Sequence, residues 1–181
     1  EATKRHNSHF IFLSTDFIFD GENGPYREED EARPLSTYGQ SKLDGELLVK
    51  NAGLEKWAIA RTIILYGIAE GLSRSNVVLW AKGALEKGSP INVVDDQWRM
   101  PTLAEDLADG CMRIAKQGAS GIYHLSGPDG MSILELVERT GKFFGLGTSN
   151  VNPIKSDSLG QPAKRPPVTG CILDKARREL G

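Results

Sequence analysis

Phe10-Ile11-Phe12-Leu13-Ser14-Thr15-Asp16 opens with four apolar residues and breaks into two hydroxyls and a carboxylate. A short unbroken apolar run is the pattern of a strand buried on both faces, as in parallel sheets. Open α/β sheets place their ligands at the carboxyl ends of their strands, which here means Ser14-Thr15-Asp16. Gly21 to Pro34 follows as a polar, acidic connection, read as a solvated loop. Ser36 or Thr37 then caps a helix that runs to about Asn51, stops at Gly53, and carries an apolar stripe through Leu43, Leu47 and Leu48. Trp57 to Gly67 reads as a second buried strand, rich in β-branched residues. Strand, helix and strand make a right-handed crossover, so both strand ends open on one edge.

Tyr38 and Lys42 lie four residues apart on that helix, one turn apart on one face. A fixed positive charge beside a phenol favours the phenolate. A phenol so placed exchanges a proton with an alcohol or carbonyl oxygen near neutral pH. The same spacing also fits a surface tyrosine next to a solvated lysine, and alone it decides nothing. The strand ending in Thr15 supplies a third group able to meet the same oxygen.

With these pieces in place, Ser14-Thr15-Asp16-Phe17-Ile18-Phe19-Asp20-Gly21, Tyr38-Gly-Gln-Ser-Lys42 and Gly45-Glu46 resemble the extended short-chain dehydrogenase/reductase superfamily, most closely the dTDP-4-dehydrorhamnose reductase family. The resemblance implies an α/β fold: the second half of a Rossmann-like parallel sheet plus a smaller α/β substrate-binding subdomain. Residues 1–67 would form the carboxy-terminal half of an NAD(P)-binding domain. Residues 68–181 would be mostly the substrate-binding subdomain, interleaved with Rossmann elements. No Gly-x-x-Gly-x-x-Gly occurs in the chain, so the resemblance places the pyrophosphate-holding glycine loop in an absent amino-terminal half. The chain alone is therefore expected to bind NAD(P) weakly and to be inactive.

The resemblance also implies roles. Thr15, Tyr38 and Lys42 would be catalytic, with NADPH or NADH contacts from Tyr38, Lys42 and Ile64. Asp16 and Phe17 would face a nucleotide-linked 4-keto-6-deoxysugar in dTDP-rhamnose synthesis. Ile63 and Ile64 stand where the family has serine and tryptophan, which weakens the match to that sugar; both also read as strand core. Magnesium, used by some members, falls on no residue here. Two rivals stay open. One is a sugar-nucleotide epimerase or dehydratase of the same superfamily. The other is a non-catalytic regulatory subunit like that of methionine adenosyltransferase, similar near Asp96-Gln97-Trp98-Arg99.

Further along, Ser73 to Lys87 reads as a helix closed by Gly88, and Pro90 to Val94 as a short strand. Asp95 to Thr102 resembles a family turn lining the sugar-nucleotide pocket. Arg99 suits either an anionic contact or a structural ion pair; Trp98 suits either stacking or core. Thr102 and Glu105 form a capping-box pattern ahead of a helix with Leu103, Leu107, Ala108, Cys111 and Ile114 on its apolar face. Gly121 to Gly127 reads as a strand whose His124, in an apolar run, is structural. Ser132 caps the next helix. Asn152 to Thr169 is a proline-containing loop, with Lys164 and Arg165 either facing a diphosphate or lying on plain surface. Asp174 caps the last helix.

The 181 residues carry a net charge of −2 and no basic block or long apolar run. Nothing therefore suggests nucleic acid or a membrane. Cys111 and Cys171 lack metal-ligand spacing, and Cys111 reads as a buried thiol in a reducing cytoplasm. Homo-oligomers stay open.

Overall fold

The computed structural model describes residues 1–68, 71, 75–160 and 163–181. The first part of the chain runs α1 (Ala2–Arg5), β1 (Phe10–Thr15), α2 (Thr37–Asn51), β2 (Trp57–Thr62), β3 (Leu65–Tyr66), α3 (Val77–Lys87), β4 (Ile91–Val94), β5 (Trp98–Arg99) and β6 (Thr102–Leu103). It continues through α4 (Ala104–Gln117), β7 (Gly121–His124), β8 (Met131–Ser132), α5 (Ile133–Phe144), β9 (Val151–Ile154), β10 (Val168–Thr169) and α6 (Asp174–Leu180).

β1 and β2 pair in parallel from Phe10↔Trp57 to Thr15↔Thr62, so their exits share one edge. β7 joins parallel to β2, giving the order β1-β2-β7. Alternation along β2 sends Ala58 and Ala60 to one face and Ile59 and Arg61 to the other. Ala58, Ile114, Tyr123 and Leu180 form the core under α4 and α6. α2 covers the opposite face, where Gly45 meets β1 so closely that a Cβ would sit 2.5 Å from the Phe12 ring. The inward positions of α2 are Gly39, Glu46 and Val49. Leu47 and Leu48 were expected inside but point out, Leu48 at 73% exposure. A second core joins α3, α5 and β4 through Ala81, Leu85, Val93 and Val137. A second three-stranded sheet has the order β10-β5-β8 and crosses from the chain's middle to its last strand.

Several local expectations are corrected. The strand from Trp57 breaks at Ile63-Ile64, where Ile64 takes φ +22, strained for a β-branched residue. Thr102 does not cap α4, whose N-cap is Leu103. Its buried hydroxyl instead donates to Ile63 O at 2.7 Å, tying β6 to the exit of β2. Asp174 lies in the first turn of α6 and caps nothing with its side chain. Ser73 lies outside the described residues; α3 starts after Asn76, which accepts from Val78 N and Leu79 N. Cys171, not Cys111, is the buried thiol. The stretch read as a loop from Asn152 holds β9 and β10. Ser132 does cap α5, accepting from Glu135 N at 3.0 Å.

The acidic connection is also more than a solvated loop. Tyr26 is buried and stacks on Phe19 at 4.1 Å, while its backbone bonds Gly170 and Ile172. Glu28 reaches back to His124 N at 3.1 Å. His124 is fully buried, with Nε2 3.5 Å from Arg61 Nη1. Burial, then the Arg61 charge, pushes its pKa down from 6.5 to about 3. Unfolding between those values takes up a proton, so this contribution is whole above pH 6.5 and lost as pH falls toward 3. Urea unfolding at pH 6.5 and 5.0 should show wild type losing about 2 kcal/mol more than His124→Asn. Equal losses would remove His124 from the acid response.

Candidate active site

The exit of β1 is turned by its own side chain. Thr15 Oγ1 accepts from Phe17 N at 3.3 Å, capping a short 3-10 turn over Asp16–Ile18. α2 begins against that turn: Ser36 Oγ accepts from Gly39 N at 3.1 Å. A Cβ on Gly39 would stand 2.1 Å from Phe17 O, so only glycine allows this approach. The contact sets the next side chains. The Tyr38 ring meets Phe17 edge-on, centroids 6.1 Å apart, and stays 53% exposed. One turn on, Lys42 Nζ donates to Leu13 O at 3.2 Å and lies 5.3 Å from the Phe12 ring centroid. Thr15, Tyr38 and Lys42 thus gather at one end of the sheet. Among the described residues, no hydrogen bond joins the phenol oxygen to Thr15 or Lys42. Such contacts often close only with substrate bound.

Asp16 and Arg99 are corrected. Asp16 was expected to face a sugar, yet it is 2% exposed and accepts from Thr15 Oγ1 at 3.0 Å and from Thr169 Oγ1. Burial pushes its pKa up; the Thr169 bond, the Arg99 charge and the Thr15 bond oppose that. Arg99, also 2% exposed, spends its guanidinium on Trp98 O at 2.7 Å, Pro166 O at 2.7 Å and Pro167 O at 3.1 Å. Bonded this way, it is a clasp for the proline segment and not an open anion contact. Its Cζ lies 5.6 Å from the centroid of the half-buried Phe17. Arg165 is exposed on the rim of a cavity of about 410 Å³, lined also by Asp96, Gln97, Ser156 and Lys164. Trp98 is 45% exposed beside Val168, so it is not the core residue that one of its two readings expected. Ile64 lies half-buried past the exit of β2.

The model of the family described as "RmlD substrate binding domain" matches residues 1–181. The chain belongs to this family. Among similar proteins is methionine adenosyltransferase 2 subunit beta of Pongo abelii, 37% identical over 161 residues, covering 86% of this chain and 48% of that protein. Another is a dTDP-4-keto-6-deoxy-D-glucose reductase of Streptomyces niveus, 33% identical over 172 residues, covering 94% and 58%. The chain spans about half the length of the curated relatives it matches. Among solved structures, dTDP-4-dehydrorhamnose reductase of Bacillus anthracis in complex with NADP superposes with a TM-score of 0.89 at 27% identity, over 98% of this chain and 61% of that one. The fold is the Rossmann-like α/β fold of these reductases.

Among the described residues, the Lys42 ammonium of this RmlD-type chain makes one hydrogen bond, to Leu13 O, out of the three that an ammonium can donate. Among the described residues no three His, Cys, Asp or Glu side chains group to hold a metal ion. No described helix is long and apolar enough to cross a membrane. The carboxylate cluster of Asp16 with Thr169 and Arg99 escaped the sequence reading because its members lie far apart in the chain. The usable signal was a general one: a buried aspartate needs partners.

Proposed function

We propose that this chain supplies the proton-handling and substrate-facing half of a nicotinamide-dependent reductase acting on a nucleotide-linked 4-keto-6-deoxysugar. The observation that carries the reading is the gathering of Thr15, Tyr38 and Lys42 at one sheet end, set by the Gly39–Phe17 contact. On this reading residues 1–67 hold the reacting centre and residues 68–181 mostly hold the sugar nucleotide. Tyr38 gives its phenolic proton to the ketone oxygen as the carbonyl carbon gains hydride, leaving an alcohol. A bound nicotinamide supplies that hydride. Lys42 and Tyr38 are the residues to hold its ribose hydroxyls, with Ile64 beside the ring. Lys164 and Arg165 offer positive charge to the diphosphate.

The test is an assay of the full-length protein carrying this chain, with NADPH or NADH and a dTDP-linked 4-keto-6-deoxysugar. Stoichiometric cofactor oxidation with a new 4-hydroxyl product supports the reading. A rearranged sugar without net cofactor loss would replace reduction by epimerase or dehydratase chemistry. A second reading, a regulatory subunit, is favoured by the 34–37% identity to methionine adenosyltransferase 2 subunit beta proteins. It predicts no turnover of any keto-sugar and a stable protein partner.

A further inference from the structure

β2 and β3 run in different sheets: β2 lies between β1 and β7, while β3 pairs with β6. Ile63 and Ile64 carry the chain across, and Thr102 of β6 meets the carbonyls of both. Its N–H donates to Ile64 O at 3.0 Å. Its hydroxyl donates to Ile63 O at 2.7 Å, with Met100 O the more distant acceptor at 3.4 Å. That direction is fixed, because a carbonyl only accepts. With its proton so used, the Thr102 oxygen accepts from Thr62 Oγ1 at 3.3 Å. Thr102 itself is 2% exposed, so the tie lies inside the protein. Ile64 takes φ +22 under this hold. Among the described residues the other non-glycine with positive φ is Asn7, a type that adopts it readily.

A β-branched residue takes such a φ only at a cost, and it persists where its surroundings over-determine it. Residues held this way gather at ligand sites. Ile64 stands two residues past Thr62, the register partner of Thr15, and so at the sheet edge that carries Thr15. We propose that Thr102 is a positioning residue, which clamps the strand break and holds Ile64 in its strained conformation for contact with a nicotinamide ring. The contact rests on the reductase reading; the clamp rests on the geometry of Thr102 alone. Being buried, Thr102 reaches no substrate atom, and it forms and breaks no covalent bond.

Two comparisons in the full-length protein test this. The first reads the strain and needs no Thr102 variant. In extended backbone glycine is less stable than alanine; at positive φ the order reverses, because alanine carries a Cβ there. Ile64→Gly should therefore unfold at a higher urea concentration than Ile64→Ala. A glycine variant that unfolds first would overturn the proposal whatever the cofactor does. The second comparison reads the consequence, by calorimetric titration with NADPH and with NADH. Thr102→Val keeps the shape and deletes the hydroxyl, whereas Thr102→Ser keeps the hydroxyl. The cofactor Kd should rise about tenfold in the valine variant, roughly the worth of one buried hydrogen bond, and recover in the serine variant. KM for the keto-sugar should move less than about twofold, since uniform damage would move both. Two variants equally weakened would make Thr102 a packing residue, and two variants binding like wild type would make it idle; either result rejects the clamp. A wild type that binds NADPH but reduces no keto-sugar, with valine weakened and serine restored, upholds the clamp and rejects the reductase reading. A wild type that binds neither cofactor rejects both.

Discussion

Arg61→Met is expected to cost about 3–5 kcal/mol of folding stability, read as a lowered urea midpoint. Arg61 is 3% exposed and Glu46 fully buried; Nε and Nη2 reach the two carboxylate oxygens at 2.9 and 2.7 Å. Nη1 also donates to Glu28 O at 3.0 Å, and the Phe19 ring lies 5.3 Å from Cζ. Removing the guanidinium leaves a carboxylate inside the protein with no counter-charge, and that stranded charge sets the size of the loss. Glu46→Leu together with Arg61→Met should recover most of it, because a buried ion pair often does no better than apolar groups of similar volume. A double variant as unstable as the single one would show that Arg61 matters chiefly through Glu28 and Phe19. Breaking exposed pairs such as Arg33–Glu31 should leave the urea midpoint nearly unchanged.

Tyr38→Phe should lower kcat of the full-length protein about a hundredfold to ten-thousandfold, the usual worth of a positioned general acid. The substitution removes only the phenolic oxygen. The ring can keep its edge contact with Phe17, and the oxygen makes no hydrogen bond within the described chain. Stability should therefore stay within about 0.5 kcal/mol of wild type. The two readouts separate chemistry from folding: cofactor oxidation measures one, thermal unfolding the other. Wild-type turnover in the phenylalanine variant would dismiss Tyr38 as the proton donor.

The parts of this molecule that rest on neighbours in sequence were legible. The strand character of β1, the Ser36 and Ser132 caps and the turn-to-turn spacing of Tyr38 and Lys42 are all local patterns. The expected burial of β1 on both faces is not met, since it is an edge strand with Phe10 36% and Leu13 46% exposed. What escaped depends on residues meeting from afar. Glu46 sits among leucines on α2, and no rule of periodicity turns a glutamate inward until Arg61 of β2 is known to face it. Leu47 and Leu48 were displaced to the surface by the same rotation of the helix. Thr102 carried the right letters for a cap, but the exposed carbonyl of Ile63 at the strand break took its hydroxyl. Arg99 looked like a ligand contact because guanidinium and phosphate match so well. Its environment offers backbone carbonyls instead, and two of the three lie in a segment more than sixty residues away.

The bond between Asp16 and Thr169 spans 153 positions. A ribosome delivers the first of these residues long before the last, at about 5–20 residues per second. Through that interval the nascent chain can form α2 and the β1–β2 pair, but the carboxylate beside Thr15 has only one of its two hydroxyl donors. Closure of the Asp16–Thr169 bond should therefore trail the appearance of secondary structure, in synthesis and in refolding alike, since distant contacts form slowly.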